Sequence, residues 1–134
     1  MLKALYFANL DPDHFVIHGS AALWVCGLRR RISDVDVVAR GSAWARALEH
    51  ADFKVRPAPL SRDDMVLLHR GRIEVSKRWV TDDSDTDRLI ARADVIGGLR
   101  FARKEDILRS KRKLNRIKDQ RDIAALCYLP PCPR

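Results

Sequence analysis

Cysteine and histidine are both scarce in this chain. Three cysteines, Cys26, Cys127 and Cys132, form an odd set without a C-x-x-C pair, and only four histidines accompany them. A disulfide framework and a zinc site are therefore excluded as organising features, and a reducing compartment is expected. Nowhere does the sequence approach the ~18 consecutive apolar residues that a membrane span needs. The opening Met1-Leu2-Lys3-Ala4-Leu5-Tyr6 lacks the apolar h-region and cleavage site of a signal peptide. These absences lead to the expectation of a soluble cytoplasmic protein with no membrane partner. Acidic residues are the minority charge: 18 Asp and Glu stand against 26 Lys and Arg, a formal net charge of +8. That excess suits an anionic partner such as a nucleotide triphosphate or a nucleic acid.

What is present is enough for one core. A length of 134 residues with 46% hydrophobic content is the size of a single ordinary domain, here expected over 1–129 with a short tail at 130–134. Charge is unevenly spread. Arg100 to Asp122 holds ten Lys or Arg against four Asp or Glu, whereas Thr81 to Asp87 holds four Asp and no base. No repeat or internal linker is visible.

Leu2, Leu5, Tyr6 and Leu10 recur at helical spacing until Asp11-Pro12-Asp13 breaks the pattern, giving a short opening helix. Phe15-Val16-Ile17-His18 reads as a strand, Gly19-Ser20 as a tight turn, and Ala21 to Cys26 as a helix stopped by Gly27. Val35, Val37 and Val38 interleave with Asp34 and Asp36 in a second strand. Ser42 is expected to cap a helix running to about His50, and Phe53 to Val55 to form a strand before Pro57. Met65 to His69 and Ile73 to Trp79, separated by Arg70-Gly71-Arg72, read as a hairpin with Glu74 on the opposite face from Ile73 and Val75. Thr81 to Asp87 reads as an acidic loop; as a calcium loop it lacks the Gly and the Glu that positions six and twelve require. Leu99 to Ala102 is a last strand, and helices follow over Lys104 to Ile117 and Asp119 to Leu129. The order predicts an α+β fold: a mixed β-sheet with flanking helices.

Asp34-Val35-Asp36 on a strand puts two carboxylates on one face, since strand side chains alternate. Magnesium takes hard oxygen ligands, commonly one or two carboxylates together with substrate phosphates, so such a pair beside a Gly-Ser turn is a coherent site. The Gly-Ser turn permits close backbone approach to a phosphate, and the Ser20 hydroxyl adds a donor. Lys111 falls between Ile107 and Leu114 on an otherwise apolar helix face and needs an anion there, and Lys118 shares that face if the helix continues. Asp119 and Asp122 fit the N-cap and N3 positions of the last helix.

Two segments carry a resemblance. His18-Gly19-Ser20-Ala21-Ala22-Leu23 through Gly27-Leu28-Arg29, then Arg31-Ile32-Ser33-Asp34-Val35-Asp36, resembles the hG[GS] turn and [ST]-D-x-D strand of the DNA polymerase β-like nucleotidyltransferase superfamily, with thirteen residues between Ser20 and Asp34. Lys111 and the run Arg116-Ile117-Lys118-Asp119-Gln120-Arg121-Asp122-Ile123 are similar to the superfamily's late helical pattern. The nearest likeness is to small bacterial and phage members of the minimal and abortive-infection types. The resemblance implies a polymerase β palm-like sheet and transfer of a nucleoside monophosphate from an NTP to a hydroxyl. It implies that Asp34 and Asp36 bind Mg²⁺ or Mn²⁺ and that a third carboxylate, here Glu74 where the family more often has Asp, assists them. Gly19, Ser20, Lys111 and Lys118 are then the nucleotide-binding residues. The Arg29-Arg30-Arg31 loop, with Arg112 and Lys113, favours RNA, such as a tRNA end, as acceptor, with a protein hydroxyl next. So short a chain leaves acceptor recognition to its basic helices, a homodimer or a partner protein. The rival reading is a non-catalytic module of this fold, or a toxin-antitoxin component, that binds nucleotide or nucleic acid.

Overall fold

Phe15, Val16 and Ile17 are bulky apolar residues that favour a pleated, buried surface, and Phe15–His18 forms β1 with every residue buried. The computed structural model describes residues 9–25, 27, 34–50, 56–57, 64–79 and 86–127. The expected opening helix, the Arg29-Arg30-Arg31 loop and the Phe53 to Val55 strand lie outside these residues.

From β1 the chain turns into helix α1 (Gly19–Val25), then β2 (Val35–Ala39), α2 (Gly41–Glu49), β3 (Arg56–Pro57), β4 (Asp64–Leu68), β5 (Ile73–Ser76), α3 (Thr86–Arg92), β6 (Asp94–Ile96), β7 (Leu99–Phe101), α4 (Lys104–Leu114) and α5 (Ile117–Cys127). The strands form one mixed sheet in the order β3-β4-β5-β2-β1-β7-β6. The β1–β7 and β2–β5 pairs are parallel, and the β1–β2, β3–β4, β4–β5 and β6–β7 pairs are antiparallel. The core joins sheet residues such as Ile17, Val37, Val66 and Val75 to Leu23 of α1, Ala43 and Ala47 of α2, Ile90 of α3, Ile107 of α4 and Leu126 of α5. The α+β class and the single mixed sheet are as expected.

Four local expectations differ from the fold. Helix α2 starts one residue before Ser42, and its N-cap position is Arg40, whose side chain binds His14 and Asp87 instead of capping. The acidic stretch does not remain a loop to Asp87: α3 begins at Thr86 because Leu89 and Ile90 can be buried. A strand was not expected at Asp94–Ile96, yet it pairs with β7 through the two-residue turn Gly97-Gly98. Both glycines have positive φ, 59° and 80°, the conformation that two-residue hairpins favour and glycine adopts without strain. Helix α4 stops at Leu114, with Asn115 in the left-handed conformation that commonly ends helices. Helix α5 therefore begins at Ile117, and Asp119 is its third residue instead of its cap.

Candidate active site

The register of three adjacent strands builds the site. His18 on β1 pairs with Asp36 on β2, and Asp36 pairs with Glu74 on β5. Residues paired across strands share a face, so these three side chains form one row. Glu74 thus reaches Asp36 although it is remote in sequence. The expectation that it opposes Ile73 and Val75 holds, since both of those are fully buried and Glu74 is not.

Gly19 follows directly on the row. Its φ is +65°, a conformation glycine adopts freely, and a β-carbon there would lie 2.5 Å from Asp36 Oδ2. Glycine is needed to let the turn lie against the carboxylate. The Gly19 amide N–H donates to His18 Nδ1 at 2.8 Å, and His18 stacks on Trp79 with ring centroids 4.0 Å apart. Trp79 Nε1–H in turn donates to Ser110 Oγ on α4 at 2.5 Å.

Facing the row are α4 and α5. A pocket between them is lined by His18, Gly19, Ser20 and Asp36 on the sheet side and by Lys111, Arg116, Lys118, Asp119 and Asp122 on the helix side. Lys111 is buried, and its Nζ lies 2.8 Å from Asp122 Oδ2 and 3.6 Å from Asp119 Oδ1. The anion that Lys111 requires is thus supplied by the last helix. Asp119 accepts from the Arg116 backbone N–H at 3.0 Å and from its guanidinium at 2.7 Å, the reach-back of a capping box. Burial works against the charge on Asp119, but the Arg116 hydrogen bonds and the nearby Lys111 hold its carboxyl below the ordinary range.

Electrostatics single out Asp36. Burial, the Glu74 charge, a hydrogen bond to Glu74 and the charge of Asp34 together raise its carboxyl to about 7, with Lys118 opposing. Two carboxyl groups this close, and partly shielded from water, do not readily ionise together. His18 is pushed the other way, to about 3, by burial and then by the charges of Lys111 and Arg109, so its ring is neutral.

Of the expected site residues, Gly19, Ser20, Asp36, Lys111 and Lys118 come together in the pocket. Lys118 arrives from α5, because the break at Asn115 interrupts the helix that was expected to carry it. Asp34 is exposed just before β2 and acts on Asp36 through its charge. The expected three-carboxylate set of Asp34, Asp36 and Glu74 does not converge: among the described residues no three His, Cys, Asp or Glu side chains form a metal-holding group. The strand ladder aligns Asp36 with Glu74, whereas Asp34 lies outside it. Arg112 and Lys113 are exposed on α4 and do not line the pocket.

Comparison with solved structures bears on this arrangement. The chain is similar to TM1012 of Thermotoga maritima, described as a "putative nucleotidyltransferase", with a TM-score of 0.60 at 15% identity over 94% of this chain and 89% of that one. The chain has a nucleotidyltransferase-like fold. The fold is also similar to JHP933 of Helicobacter pylori, with a TM-score of 0.55 at 20% identity over 92% of this chain and 63% of that one. No family model and no curated protein matches the sequence. Within the nucleotidyltransferase-like fold, sequence reading missed Trp79, Ser110 and Arg116 as parts of the pocket. Nothing local marks Trp79, which reaches His18 only through the sheet order. Among the described residues no helix is long and apolar enough to cross a membrane.

Proposed function

We propose that the protein is a metal-dependent nucleotidyltransferase that moves a nucleoside monophosphate from an NTP to a hydroxyl of RNA or, next in order, of a protein. The observation that carries the reading is the in-register Asp36–Glu74 pair beside the Gly19-Ser20 turn. The pair fits Mg²⁺ or Mn²⁺: two hard-oxygen groups stand side by side on the ladder, burial and the neighbouring Glu74 charge raise the proton affinity of Asp36, and a divalent cation would relieve that crowding. Asp36 and Glu74 would hold it, with Asp34 adding charge nearby. Such a cation supplies charge neutralisation at the attacking and leaving oxygens.

The chain's own residues do the rest. Gly19 and Ser20 offer close backbone approach and a hydroxyl donor to the triphosphate, and Lys118 and Arg116 neutralise it from the α5 side. Lys111, tied to Asp122 and Asp119, orders that side of the pocket. The acceptor oxygen bonds to the α-phosphorus, the bond from that phosphorus to pyrophosphate breaks, and Glu74 takes the hydroxyl proton. RNA is favoured by the exposed Arg112 and Lys113 and by the Arg29-Arg30-Arg31 segment, whose placement lies outside the described residues. A homodimer or partner protein would complete acceptor recognition.

That no three His, Cys, Asp or Glu side chains group as a metal-holding set among the described residues favours a second reading: a non-catalytic nucleotide- or RNA-binding module, such as a toxin-antitoxin component. Incubation with each NTP labelled at the α-phosphate, with Mg²⁺ or Mn²⁺ and separate RNA and protein fractions, decides between them. Label in RNA supports the first reading as stated, and label in protein changes the acceptor. No transfer to either fraction, with NTP still bound, supports the second.

A further inference from the structure

We propose that His18 binds substrate directly, its Nε2–H donating a hydrogen bond to a phosphate oxygen of the triphosphate. This rests on the nucleotide-site reading above. The His18 side chain is 1% exposed, yet its ring lines the pocket together with Gly19, Ser20 and Lys111. Its two nitrogens are not equivalent. Nδ1 accepts the Gly19 N–H at 2.8 Å, so in the neutral ring the proton sits on Nε2. Because His18 lines the pocket and its Nδ1 is taken by Gly19, an acceptor entering the pocket has Nε2–H as the ring's remaining polar group to meet.

The ring is fixed before any ligand binds. Trp79 stacks on it with planes 12° apart, and the Trp79 indole is anchored to Ser110 Oγ at 2.5 Å. Exchanging the nitrogens by a ring flip would break the Gly19 bond. A phosphate oxygen is an acceptor without a proton of its own, which matches a lone donor. Lys111 and Arg116 in this pocket are already paired with Asp122 and Asp119, so Lys118 is left to bring charge to an anion there, and the neutral His18 donor adds direction.

Two substitutions separate the nitrogens. In His18→Asn the amide oxygen stands near the Nδ1 position and can accept from Gly19, but the Nε2 donor is lost. In His18→Gln the amide nitrogen reaches the Nε2 position, and the Nδ1 acceptor is lost. Calorimetric titration with inorganic tripolyphosphate and Mg²⁺ should show affinity about tenfold weaker for His18→Asn and near wild type for His18→Gln. Wild-type affinity in His18→Asn, or the reverse order, overturns the proposal, because a ring that only holds the turn is replaced by Asn and not by Gln. Nitrogen-15 NMR of the wild-type His18 ring is independent of the variants' folding. Protonated Nε2, bare Nδ1 and an Nε2 shift on adding tripolyphosphate are expected; a protonated Nδ1, or an unmoved Nε2 at saturation, overturns the assignment. Failure of the wild-type chain to bind tripolyphosphate would remove the nucleotide site itself and this role with it.

Discussion

Gly19→Ala perturbs the site at its tightest contact. The new methyl carbon would lie 2.5 Å from Asp36 Oδ2, and ordinary contact begins near 3.4 Å, so the carboxylate must retreat by about 0.9 Å. The backbone holds φ at +65°, which costs a residue with a β-carbon roughly 1–2 kcal/mol. A domain of ordinary stability, about 5–15 kcal/mol, remains folded after such a loss. The displacement matters more for chemistry, because a misplacement of about 1 Å can cost on the order of 100-fold in rate. Urea denaturation should therefore show a loss of roughly 1–2 kcal/mol, while turnover per folded molecule falls about 100-fold. A Gly19→Ala enzyme whose activity loss is fully accounted for by its unfolded fraction would refute the link between this turn and Asp36.

Asp36→Asn should abolish transfer while retaining the fold, and Asp34→Asn and Glu74→Gln should lower it; wild-type turnover in Asp36→Asn removes the catalytic assignment. Because the Asp36 carboxyl is raised from 3.8 to about 7 in the folded state, the native chain binds the extra proton between those values, and stability in chelator should fall as pH rises from about 4 to about 7. Asp36→Asn should flatten that slope and be more stable than wild type at pH 8, as checked by denaturant unfolding across pH. Lys111→Met removes the buried cation that faces Asp122 and Asp119 and should destabilise the fold by up to about 3–5 kcal/mol, recovered in part by adding Asp122→Leu; additive effects in that cycle would show the ion pair to be unimportant. For an RNA acceptor, replacing Arg112 and Lys113 with Ala should lower the salt dependence of binding by about one unit for every phosphate no longer neutralised, whereas salt-insensitive binding excludes RNA.

Features written in consecutive residues were legible in the sequence. The β1 strand, the Gly-Ser turn and Asp36 on β2 follow from short-range pattern, and Glu74 could be assigned to the polar face of its strand by alternation alone. Alternation does not say which strand lies beside which, so the Asp36–Glu74 contact and the His18–Trp79 stack needed the sheet order. The Lys111 anion illustrates the same limit: a lysine on an apolar helix face demands a partner, but Asp122 was explained locally as a cap residue. The overlooked β6 strand had a usable signal in Gly97-Gly98, a two-residue turn between apolar neighbours. Helix α3 had a weaker one, Leu89-Ile90, hidden by the acidic run before it.

In the proposed function the Asp36–Glu74 pair and the Gly19-Ser20 turn form a nucleotidyl-transfer site. Parallel reactions with NTP labelled at the α- or the γ-phosphate, run with Mg²⁺ on the wild-type chain and on Asp36→Asn, test it most directly. The expected result is α-label in the acceptor and γ-label released as pyrophosphate, with neither for Asp36→Asn. Label from the γ-phosphate in the acceptor, or equal transfer by Asp36→Asn, would contradict it.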